Sequence, residues 1–464
     1  MMRHDPSPTV AAVSTPRGKG GISVIRISGD ETLRILEKCF APKGAPLASR
    51  PPRTAVYGEI ISDGKVIDTG ICVLYEEGRS FTGESMAELS CHGGVWVTRA
   101  VLEAVLAAGA APAGAGEFTR RAFINGKMSL SEAEAVGLLI DADTGSRAAM
   151  ASGAVRGNLT SAVEKIDGEL LDVMTALFAA IDYPEEDVGT EGEERISDVV
   201  ASSLEKIDEL RRTFRTGRAV AEGVRTVICG RPNVGKSSLY NLLLGEERAI
   251  VTDVAGTTRD TLEDTVDIGG VTLRLLDTAG IRNTDDRVER IGVERAYSKL
   301  DEAELVIFVA DGSEGLTTED TELLDRLKKS KTEKICVINK SDIGCAMTPQ
   351  DEARIEEVFG TALSLSSKTG DGKAALEGEI SRLFNEGGLD LSSDAVIWST
   401  AQSASLDRAS ELLSEARDAL CAGTPLDAVG VLCESALTEL RTVDGRDVSE
   451  DIIDGIFSKF CVGK

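Results

Sequence analysis

The residues of this chain best suited to chemistry lie in a glycine-rich loop, Gly230-Arg-Pro-Asn-Val-Gly-Lys-Ser237. A β-branched run precedes the loop and an apolar segment follows it, so the sequence predicts a strand, a loop and a helix in succession. Backbone N–H groups at the start of such a helix bind phosphate, because the helix dipole favours negative charge there. Lys236 would add a charge toward the β- and γ-phosphates, and Ser237 would offer a hydroxyl to Mg2+. The predicted ligand is a nucleoside triphosphate.

Three further segments indicate which base this nucleotide carries. Asn339-Lys-Ser-Asp342 ends a predicted strand, where a carboxylate at Asp342 can accept hydrogen bonds from guanine N1–H and N2–H2. Adenine lacks this donor pair. Asp277-Thr-Ala-Gly280 ends another strand, where the aspartate can hold a Mg2+-bound water and the Gly280 N–H can sense a γ-phosphate. Ser366-Ser-Lys368 stands where a further loop supports guanine O6. Together these segments predict a guanine-nucleotide domain.

The catalytic side chain that many GTP-hydrolysing switches use is missing from its usual position. A glutamine that orients water commonly follows the aspartate–glycine segment, but Ile281 stands there. No obvious arginine finger is present in cis, although Arg259 and Arg282 lie in the neighbouring segments. Asn233 could direct its amide oxygen at a monovalent cation in the place of such a finger, with further oxygens from residues 252–258. Simple packing within the loop explains Asn233 equally well.

The elements that must position these residues follow from hydrophobic patterning. Residues 1–120 alternate short β-branched runs with glycine-rich turns, which predicts a compact α+β domain. Between about 220 and 383, apolar strands alternate with helices, which indicates a mostly parallel sheet covered on both faces. Ser131 and Glu134 form a capping-box pattern where the sequence turns helical after Ser129.

Two apolar stripes with helical spacing flank the strand-and-helix segment. They are Val163, Ile166, Leu170, Val173 and Leu177, and then Leu406, Ala409, Leu413, Ala416 and Leu420. Because such stripes need a partner, we favour one helical domain made from both segments with the nucleotide domain inserted, over two unrelated helices. The predicted domains are 1–120 (α+β), 121–218 (helical, first part), 219–383 (nucleotide domain) and 384–464 (helical, second part).

Composition limits the function classes. The net charge of −27 argues against bulk electrostatic binding of nucleic acid, although a local basic groove stays possible. The nine cysteines include no C-x-x-C pair, which suits reduced thiols in a cytoplasmic protein. No apolar leader and no spanning segment are evident, so we expect no membrane association. A run of arginines (Arg211, Arg212, Arg215 and Arg218) fits a solvated helix face better than an RNA contact.

Over essentially its full length the chain resembles the MnmE (TrmE) family of tRNA-modifying GTPases. The resemblance is carried by the nucleotide segments already described and by these others: Gly21–Gly29, Ser80–Glu84, Cys91–Gly94, Gly116–Lys127, Ala255–Asp260, Asp277–Glu294 and the terminal Phe457–Lys464. The terminal C-x-G-K joined to a phosphate loop is the most specific of them. The resemblance implies a folate-binding N-terminal domain that dimerises, a helical domain and an inserted Ras-like GTPase domain.

The resemblance also implies an activity and its participants. The resemblance implies that members form homodimers and a heterotetramer with the flavoprotein MnmG, with which they install a carboxymethylaminomethyl-type group at C5 of the wobble uridine of certain tRNAs. The one-carbon unit comes from a reduced folate, 5-formyl- or methylene-tetrahydrofolate, and GTP hydrolysis is stimulated by K+ when two GTPase domains meet.

Residue roles follow by similarity. Folate contacts match Arg26, Glu88, Lys127 and Lys464; K+ ligands match Asn233, Thr252, Val254 and Thr257; Mg2+ ligands match Ser237 and Thr258. Catalytic roles fall to Glu289, which positions water, to Lys236 and to Cys461, the terminal cysteine proposed to act in the modification. The predicted GTP-binding residues are Asn233, Val234, Gly235, Lys236, Ser237, Ser238, Thr252, Asp253, Val254, Ala255, Gly256, Thr257, Thr258, Asp277, Thr278, Ala279, Gly280, Asn339, Lys340, Asp342, Ser366, Ser367 and Lys368.

Two other functions stay open from the sequence. One is a non-enzymatic, GTP-dependent switch in ribosome assembly, although such proteins usually carry an RNA-binding appendage such as a KH domain, and none is evident here. The other is a folate enzyme under GTPase control.

Overall fold

A computed structural model describes residues 8–182, 189–245, 264–276, 300–385 and 388–463 of the chain. The chain divides into two compact units, Met1–Gly137 with Asp444–Lys464, and Leu138–Val443. Residues 444–464 thus group with the N-terminal residues, whereas the sequence analysis placed them in the second helical segment; the domain boundaries themselves stay predictions. Among the described residues, no helix is both long enough and apolar enough to cross a membrane.

The first unit is built on a seven-stranded sheet. Its strands are β1 (Val10–Val13), β2 (Ile22–Ser28), β3 (Phe40–Pro42), β4 (Ala55–Ser62), β5 (Lys65–Tyr75), β6 (Met86–His92) and β7 (Ala111–Pro112), in the spatial order β3-β4-β5-β6-β2-β1-β7. Neighbouring strands are antiparallel except β1 and β7, which run parallel. The helices of this unit include α1 (Thr32–Cys39), α2 (Val95–Ala107), α3 (Glu117–Ile124) and, after Asp444, α15 (Glu450–Phe457).

The core of the first unit explains why its strands alternate. Ile25 and Ile27 of β2 and Leu89 of β6 point to one face of the sheet and pack with Leu36 of α1 and Val101 of α2. The intervening residues of the same strands lie on the opposite face, because side chains alternate along a strand. That second face carries the charged residues to which the sequence analysis assigned a ligand role.

The second unit contains a helical part and a sheet. The helices outside the insert are α4 (Leu130–Ile140, whose first residues belong to the first unit), α5 (Gly145–Val155), α6 (Asn158–Asp182), α7 (Gly189–Arg212), α8 (Phe214–Ala221), α13 (Thr400–Cys421) and α14 (Leu426–Asp444). Helix α7 packs against both α6 and α13, so segments from either side of the insert meet. Every residue of the first stripe is buried, and so are Leu406, Ala409, Leu413 and Ala416 of the second. The predicted discontinuous helical domain is confirmed.

The insert is a six-stranded sheet with helices on both faces. It comprises β8 (Val224–Cys229), α9 (Lys236–Leu244), β9 (Asp264–Ile268), β10 (Val271–Leu275), β11 (Leu305–Asp311), α10 (Thr318–Leu327), β12 (Glu333–Asn339), α11 (Pro349–Phe359), β13 (Ala362–Ser364) and α12 (Lys373–Phe384). The strand order is β13-β12-β11-β8-β10-β9, and only the β9–β10 pair is antiparallel among these strands. The predicted multidomain α/β fold, with its mostly parallel inserted sheet, is confirmed.

Both faces of this sheet are apolar. Val227 and Phe308 pack with Leu324 of α10 on one side, whereas the next residue along β8, Ile228, packs with Leu239 of α9 on the other. Strands buried on both faces read as continuous hydrophobic runs, which is the pattern that the sequence shows.

The predicted capping box at Ser131 and Glu134 is wrong. Helix α4 begins at Leu130, and the box forms two residues earlier: Ser129 N donates to Glu132 Oε2 (3.0 Å) and Glu132 N donates to Ser129 Oγ (3.1 Å). Two overlapping serine–glutamate pairs fit the pattern, and the helix start selects the first. Glu134 lies partly buried instead, and this burial raises its pKa to about 7 against the opposing effect of Lys459.

Candidate active site

The glycine-rich loop lies between β8 and α9, as predicted. Gly235 is the N-cap of α9 with φ of 101°, a left-handed conformation that favours glycine, and Asn233 also has a positive φ of 64°. A Cβ at Gly235 would lie 2.1 Å from Asn339 Nδ2, so a side chain has no room there. The first backbone N–H groups of α9 have no partner within a helix, which leaves them to bind an anion.

Lys236 bridges the two ends of this loop. Its Nζ donates to the carbonyl oxygens of Gly230 (2.8 Å) and Arg231 (2.7 Å). Burial lowers the pKa of the Lys236 ammonium below its usual value, because a desolvated cation lacks the stabilisation of water. A phosphate beside it would restore that stabilisation. Ser237 follows Lys236 in the first turn of α9, where its hydroxyl suits a Mg2+ ligand.

Asn339 connects the phosphate loop to the predicted base loops. It ends β12 and is buried, and its Nδ2 donates to Val234 O (2.8 Å). Its Oδ1 accepts hydrogen bonds from Ser367 N and Ser367 Oγ, both at 2.9 Å. One side-chain amide therefore ties three of the four predicted nucleotide segments together, which a sequence pattern alone does not reveal.

The predicted base-recognition residues also come together. Ser366 Oγ donates to Asp342 Oδ1 at 2.8 Å, which orients the carboxylate from one side. Ser366 is buried, whereas Asp342 is exposed and so keeps lone pairs for a ligand. Lys340, with φ of 65°, donates from Nζ to Asp311 Oδ2 (2.6 Å). This arrangement can accept the two guanine donors that the sequence analysis assigned to Asp342.

A cluster of charges that was not predicted from the sequence lies behind the phosphate loop. The Arg231 guanidinium contacts Glu314 (2.6 Å), Asp320 (3.2 Å) and Asp311 (3.8 Å). Burial alone would raise the pKa of Asp311, but hydrogen bonds from Lys340 and Ser313 outweigh it and hold that pKa below its usual value. A signal was available: Thr317 and Asp320 form a capping box, which marks the start of α10.

Arg26 and Glu88, two predicted folate contacts, lie opposite each other on β2 and β6 and form an ion pair of 2.9 Å. The guanidinium stands over the rings of Phe81 (5.0 Å) and Phe118 (5.6 Å), while Tyr75 OH donates to Glu88 Oε2 (3.3 Å). An unpaired charge within an apolar strand would be costly, but Glu88 neutralises that of Arg26 within the protein. The position of Arg26 in β2 therefore requires no ligand.

Lys127 lies beside the loop of residues 76–85 that carries Phe81. Its Nζ donates to Gly78 O (3.1 Å) at the protein surface. The same loop is held by Arg121, whose Nη1 lies 2.9 Å from Glu84 Oε2 and which is itself 5% exposed. Arg26 and Lys127 therefore contact the same anchored loop, and Glu88 is the ion-pair partner of Arg26.

The carboxyl-terminal tail contacts Ser14, Ala115 and Gly116 through its backbone as far as Gly463. Val462 forms an antiparallel bridge with Ala115, Gly116 N donates to Cys461 O (3.3 Å), and Ser14 Oγ donates to Gly463 O (2.8 Å). Cys461 is exposed. Ser14 follows β1, which pairs with β2 through Ala12 and Arg26, so Gly463 lies near the strand that carries Arg26.

Several predicted site residues lie outside the described residues, so the structure says nothing of them. They are Thr252, Asp253, Val254, Ala255, Gly256, Thr257, Thr258, Asp277, Thr278, Ala279, Gly280, Glu289 and Lys464. Of the predicted K+ ligands only Asn233 is described, and of the Mg2+ ligands only Ser237. Val234 is buried, whereas Ser238 and Lys368 lie at the surface.

The arginine run is partly committed to ion pairs within the second unit. Arg211 bonds Asp208 and Asp407 of α7 and α13, Arg215 bonds Glu333 of β12, and Arg218 bonds Glu222 and Glu304. The pairs of Arg215 with Glu333 and of Arg218 with Glu304 join α8 to the insert. Asp208 and Glu222 are helical neighbours, as on a solvated helix face, whereas Asp407, Glu333 and Glu304 lie far away in sequence. A solvated helix face is therefore only part of the explanation.

The sheet order, the phosphate loop and the base-recognition loops define the insert as a P-loop guanine-nucleotide domain. Residues 9–127 match the family model for the GTP-binding protein TrmE N-terminus, and residues 130–461 match the MnmE helical domain model. The tRNA modification GTPase MnmE of Symbiobacterium thermophilum is 41% identical over 98% of this chain and 99% of its own length. That of Lactobacillus acidophilus is 39% identical over 98% of each chain. The chain therefore belongs to the MnmE family of tRNA modification GTPases, as the resemblance predicted.

Among solved structures, that of Aquifex aeolicus Era bound to GDP·AlF4− matches at 28% identity and covers 41% of this chain and 66% of its own, with a TM-score of 0.28.

Proposed function

We propose that this chain hydrolyses GTP as one step in modifying C5 of the wobble uridine of certain tRNAs. The observation that carries this proposal is the full-length match to tRNA modification GTPases. The residues predicted to bind the phosphates and the guanine also lie close together in the structure. Within that site, Asn339 joins the phosphate loop to the loop of Ser366 and Ser367. Lys236 and the α9 N-terminus would hold the phosphates, and Asp342 the base.

The modification is tested in cells that lack the protein, by mass spectrometry of their tRNA nucleosides. The parent and an Arg354→Ala control, which breaks an exposed ion pair with Asp325 in the same domain, should restore the modified wobble uridine. Lys236→Ala should not restore it, because the phosphate loop loses its charge. A nucleoside profile that does not change when the protein is deleted contradicts the proposal.

For hydrolysis, we propose that K+ replaces the missing glutamine and arginine finger. The ion would be held by Asn233, Thr252, Val254 and Thr257, and when bound it would stabilise charge developing between the β- and γ-phosphates. The positive φ of Asn233 is the described feature that supports this, because a strained conformation is kept where a function uses it. Mg2+ would be held by Ser237 and Thr258, with Glu289 positioning water when two GTPase domains meet.

The potassium proposal is tested by comparing GTP turnover in K+ and in Na+ at saturating Mg2+. Turnover should be much faster in K+, and Asn233→Ala should remove the difference while leaving GTP binding largely intact. Equal rates of the parent protein in both salts discard the cation model without affecting the assignment of the nucleotide site.

We further propose that a reduced folate supplies the one-carbon unit and binds near the loop of residues 76–85. Arg26 and Lys127 contact that loop, Glu88 pairs with Arg26, and Lys464 follows Gly463, which is held near β1. A lysine ammonium with one exposed hydrogen bond can turn to the glutamate carboxylates of a folate at little cost. Exposed Cys461 lies on the same tail, where it could act in the modification.

Folate binding is tested by equilibrium dialysis of 5-formyltetrahydrofolate against the full-length protein. Lys127→Ala should weaken binding, whereas Arg99→Ala, which removes an exposed arginine of α2 paired with Glu103, should not. Cys461→Ser should leave folate affinity unchanged and abolish tRNA modification. If both alanine variants bind like the parent, Lys127 is not a folate contact.

For partners, we propose a homodimer that assembles with the flavoprotein MnmG and with tRNA. The net charge of −27 leaves little electrostatic attraction for a phosphate backbone, so the flavoprotein would supply much of the tRNA contact. In a pull-down, tRNA should be retained only when the flavoprotein is present. Equally tight retention by the chain alone contradicts this division of roles.

A further inference from the structure

A nearly buried arginine of the phosphate loop has no role in the site as described so far. Arg231 is the first residue after Gly230, and its side chain is 14% exposed. Its guanidinium points to carboxylates on the far side of the loop: Nη2 lies 2.6 Å from Glu314 Oε2, and Nε lies 3.2 Å from Asp320 Oδ2. An arginine in this position needs such partners, because an unpaired buried charge is costly.

Two buried carboxylates, Asp320 and Asp311, each connect Arg231 to a different part of the domain. Asp320 is fully buried in the first turn of α10, where its Oδ2 also accepts from Thr317 N (3.0 Å) and Thr317 Oγ1 (2.8 Å). Asp311 ends β11 and is shared: its Oδ2 lies 3.8 Å from Arg231 Nη2 and 2.6 Å from Lys340 Nζ. The phosphate loop and the base-recognition loop therefore have one acidic anchor in common.

The backbone of Arg231 connects this anchor to the nucleotide site. Lys236 Nζ donates to the carbonyl oxygens of Gly230 and Arg231, so the orientation of that peptide decides where the ammonium lies. Gly230 has φ of 146°, and a Cβ added there would lie 2.3 Å from Val309 O, which shows how closely the loop approaches β11. A change in the Arg231 side chain reaches the phosphates through this peptide.

We propose that Arg231 is a positioning residue for GTP binding and hydrolysis, because its ion pairs with Glu314, Asp320 and Asp311 fasten the start of the phosphate loop. The inference rests on the proposed GTP hydrolysis. Arg231 does not touch the nucleotide in this role; it sets the peptide that holds Lys236. Misplacing a catalytic group by about 1 Å can cost on the order of 100-fold in rate, so a modest shift of this loop is sufficient.

The test uses the full-length protein and fluorescent GDP and GTP analogues, with kcat and KM measured separately. Arg231→Ala should lower kcat/KM on the order of 10- to 100-fold and weaken GDP binding too, because the phosphate loop holds both nucleotides. Arg231→Lys should recover part of the loss, since lysine keeps the charge but not the forked geometry. The lysine variant also carries the test if the alanine variant does not fold.

A double-mutant cycle separates positioning from mere stabilisation. Asp320→Asn keeps an acceptor for Thr317 but loses the ion pair, so its loss of GDP affinity should not add to that of Arg231→Ala. Arg354→Ala, which removes the exposed pair with Asp325, serves as the control and should bind GDP like the parent. If the role of Arg231 is purely structural, the effects of the two substitutions will be non-additive only in the free energy of unfolding in urea, measured without nucleotide, and not in GDP affinity.

Two results are decisive in different ways. Folded Arg231→Ala and Arg231→Lys proteins that bind GDP within about twofold of the parent, with unchanged kcat/KM, overturn the positioning role. A parent protein that binds no guanine nucleotide defeats the proposed function instead.

Discussion

Replacing Gly235 by alanine tests how the phosphate loop is held. Gly235 has φ of 101°, and a Cβ there would lie 2.1 Å from Asn339 Nδ2. Real Cβ atoms do not approach a nitrogen so closely, so either the loop or the asparagine must move. Asn339 cannot move freely, because it donates to Val234 O and accepts two hydrogen bonds from Ser367. We therefore expect Gly235→Ala to separate the phosphate loop from the base loops.

The size of the effect follows from two costs. A left-handed backbone conformation costs a residue with a Cβ about 1–2 kcal/mol. Displacing Asn339 leaves buried polar groups without partners, at about 1–3 kcal/mol. The free protein can relax away from the clash, so the penalty appears when the nucleotide restores the loop. Together the two costs predict a loss of about 3 kcal/mol in GDP binding, which is roughly 100-fold in Kd.

The assay is a fluorescence titration with labelled GDP, repeated in an Asn339→Ala background. In that background the alanine at Gly235 meets no amide, so only the backbone cost of about 1–2 kcal/mol should remain, which is roughly tenfold. Gly378→Ala is the matched control: this glycine lies in α12 of the same domain, and its Cβ position has no atom within 4 Å. Its affinity should equal that of the parent.

Two outcomes would refute this reasoning. A Gly235→Ala protein that binds GDP within about twofold of the parent shows that the loop does not hold the conformation described. An equal further loss in the wild-type and Asn339→Ala backgrounds shows that Asn339 is not what the new side chain meets.

Three more predictions concern stability and the tail. Burial raises the pKa of Glu134 from 4.5 to about 7, so its protonated form stabilises the folded protein fully below pH 4.5, and this stabilisation is lost as the pH rises through 7. The loss is worth at most about 3 kcal/mol. Glu134→Gln should flatten this decline in melting temperatures measured from about pH 5 to about pH 8. Identical pH profiles contradict it. Gly463 has φ of 102°, and a Cβ added there would lie 2.0 Å from Val13 O. Gly463→Ala should therefore detach the tail and speed hydrogen exchange of its amides. Unchanged exchange shows that the tail tolerates a side chain. Asp267 caps the start of α5 by accepting a hydrogen bond from Ser146 N (2.9 Å). Asp267→Ala should therefore lower the free energy of unfolding in urea by about 1 kcal/mol, and Asp267→Asn should lower it less. Equal stability of the parent and both variants excludes this capping role.

Patterns of short range were readable without a structure. Strand, loop and helix around Gly230–Ser237, and the strand end at Asn339–Asp342, depend on neighbouring residues, so the nucleotide domain and its sheet could be predicted. The stripe from Val163 to Leu177 likewise predicted a buried helix face, and its residues are buried. Periodicity reports what a segment must bury, which is enough to find most of the elements.

The sequence did not predict which of two overlapping capping patterns the helix uses. Two serine–glutamate pairs overlap near the start of α4, and the sequence analysis chose Ser131 and Glu134 where the helix uses Ser129 and Glu132. The choice depends on where the helix starts, which packing decides, since competing caps differ by only about 1 kcal/mol.

Sequence by itself determined the nucleotide chemistry of this protein: a phosphate loop, an aspartate for guanine and helices on both sides of an insert. Only the tertiary structure decided which charges meet. It paired Arg26 with Glu88 and placed Arg231 against Asp320, 89 positions further along by residue number. A charge buried by folding must find an opposite charge or a hydrogen bond, and that partner comes from whichever strand or helix packs beside it. Such partners leave no periodic trace in the chain.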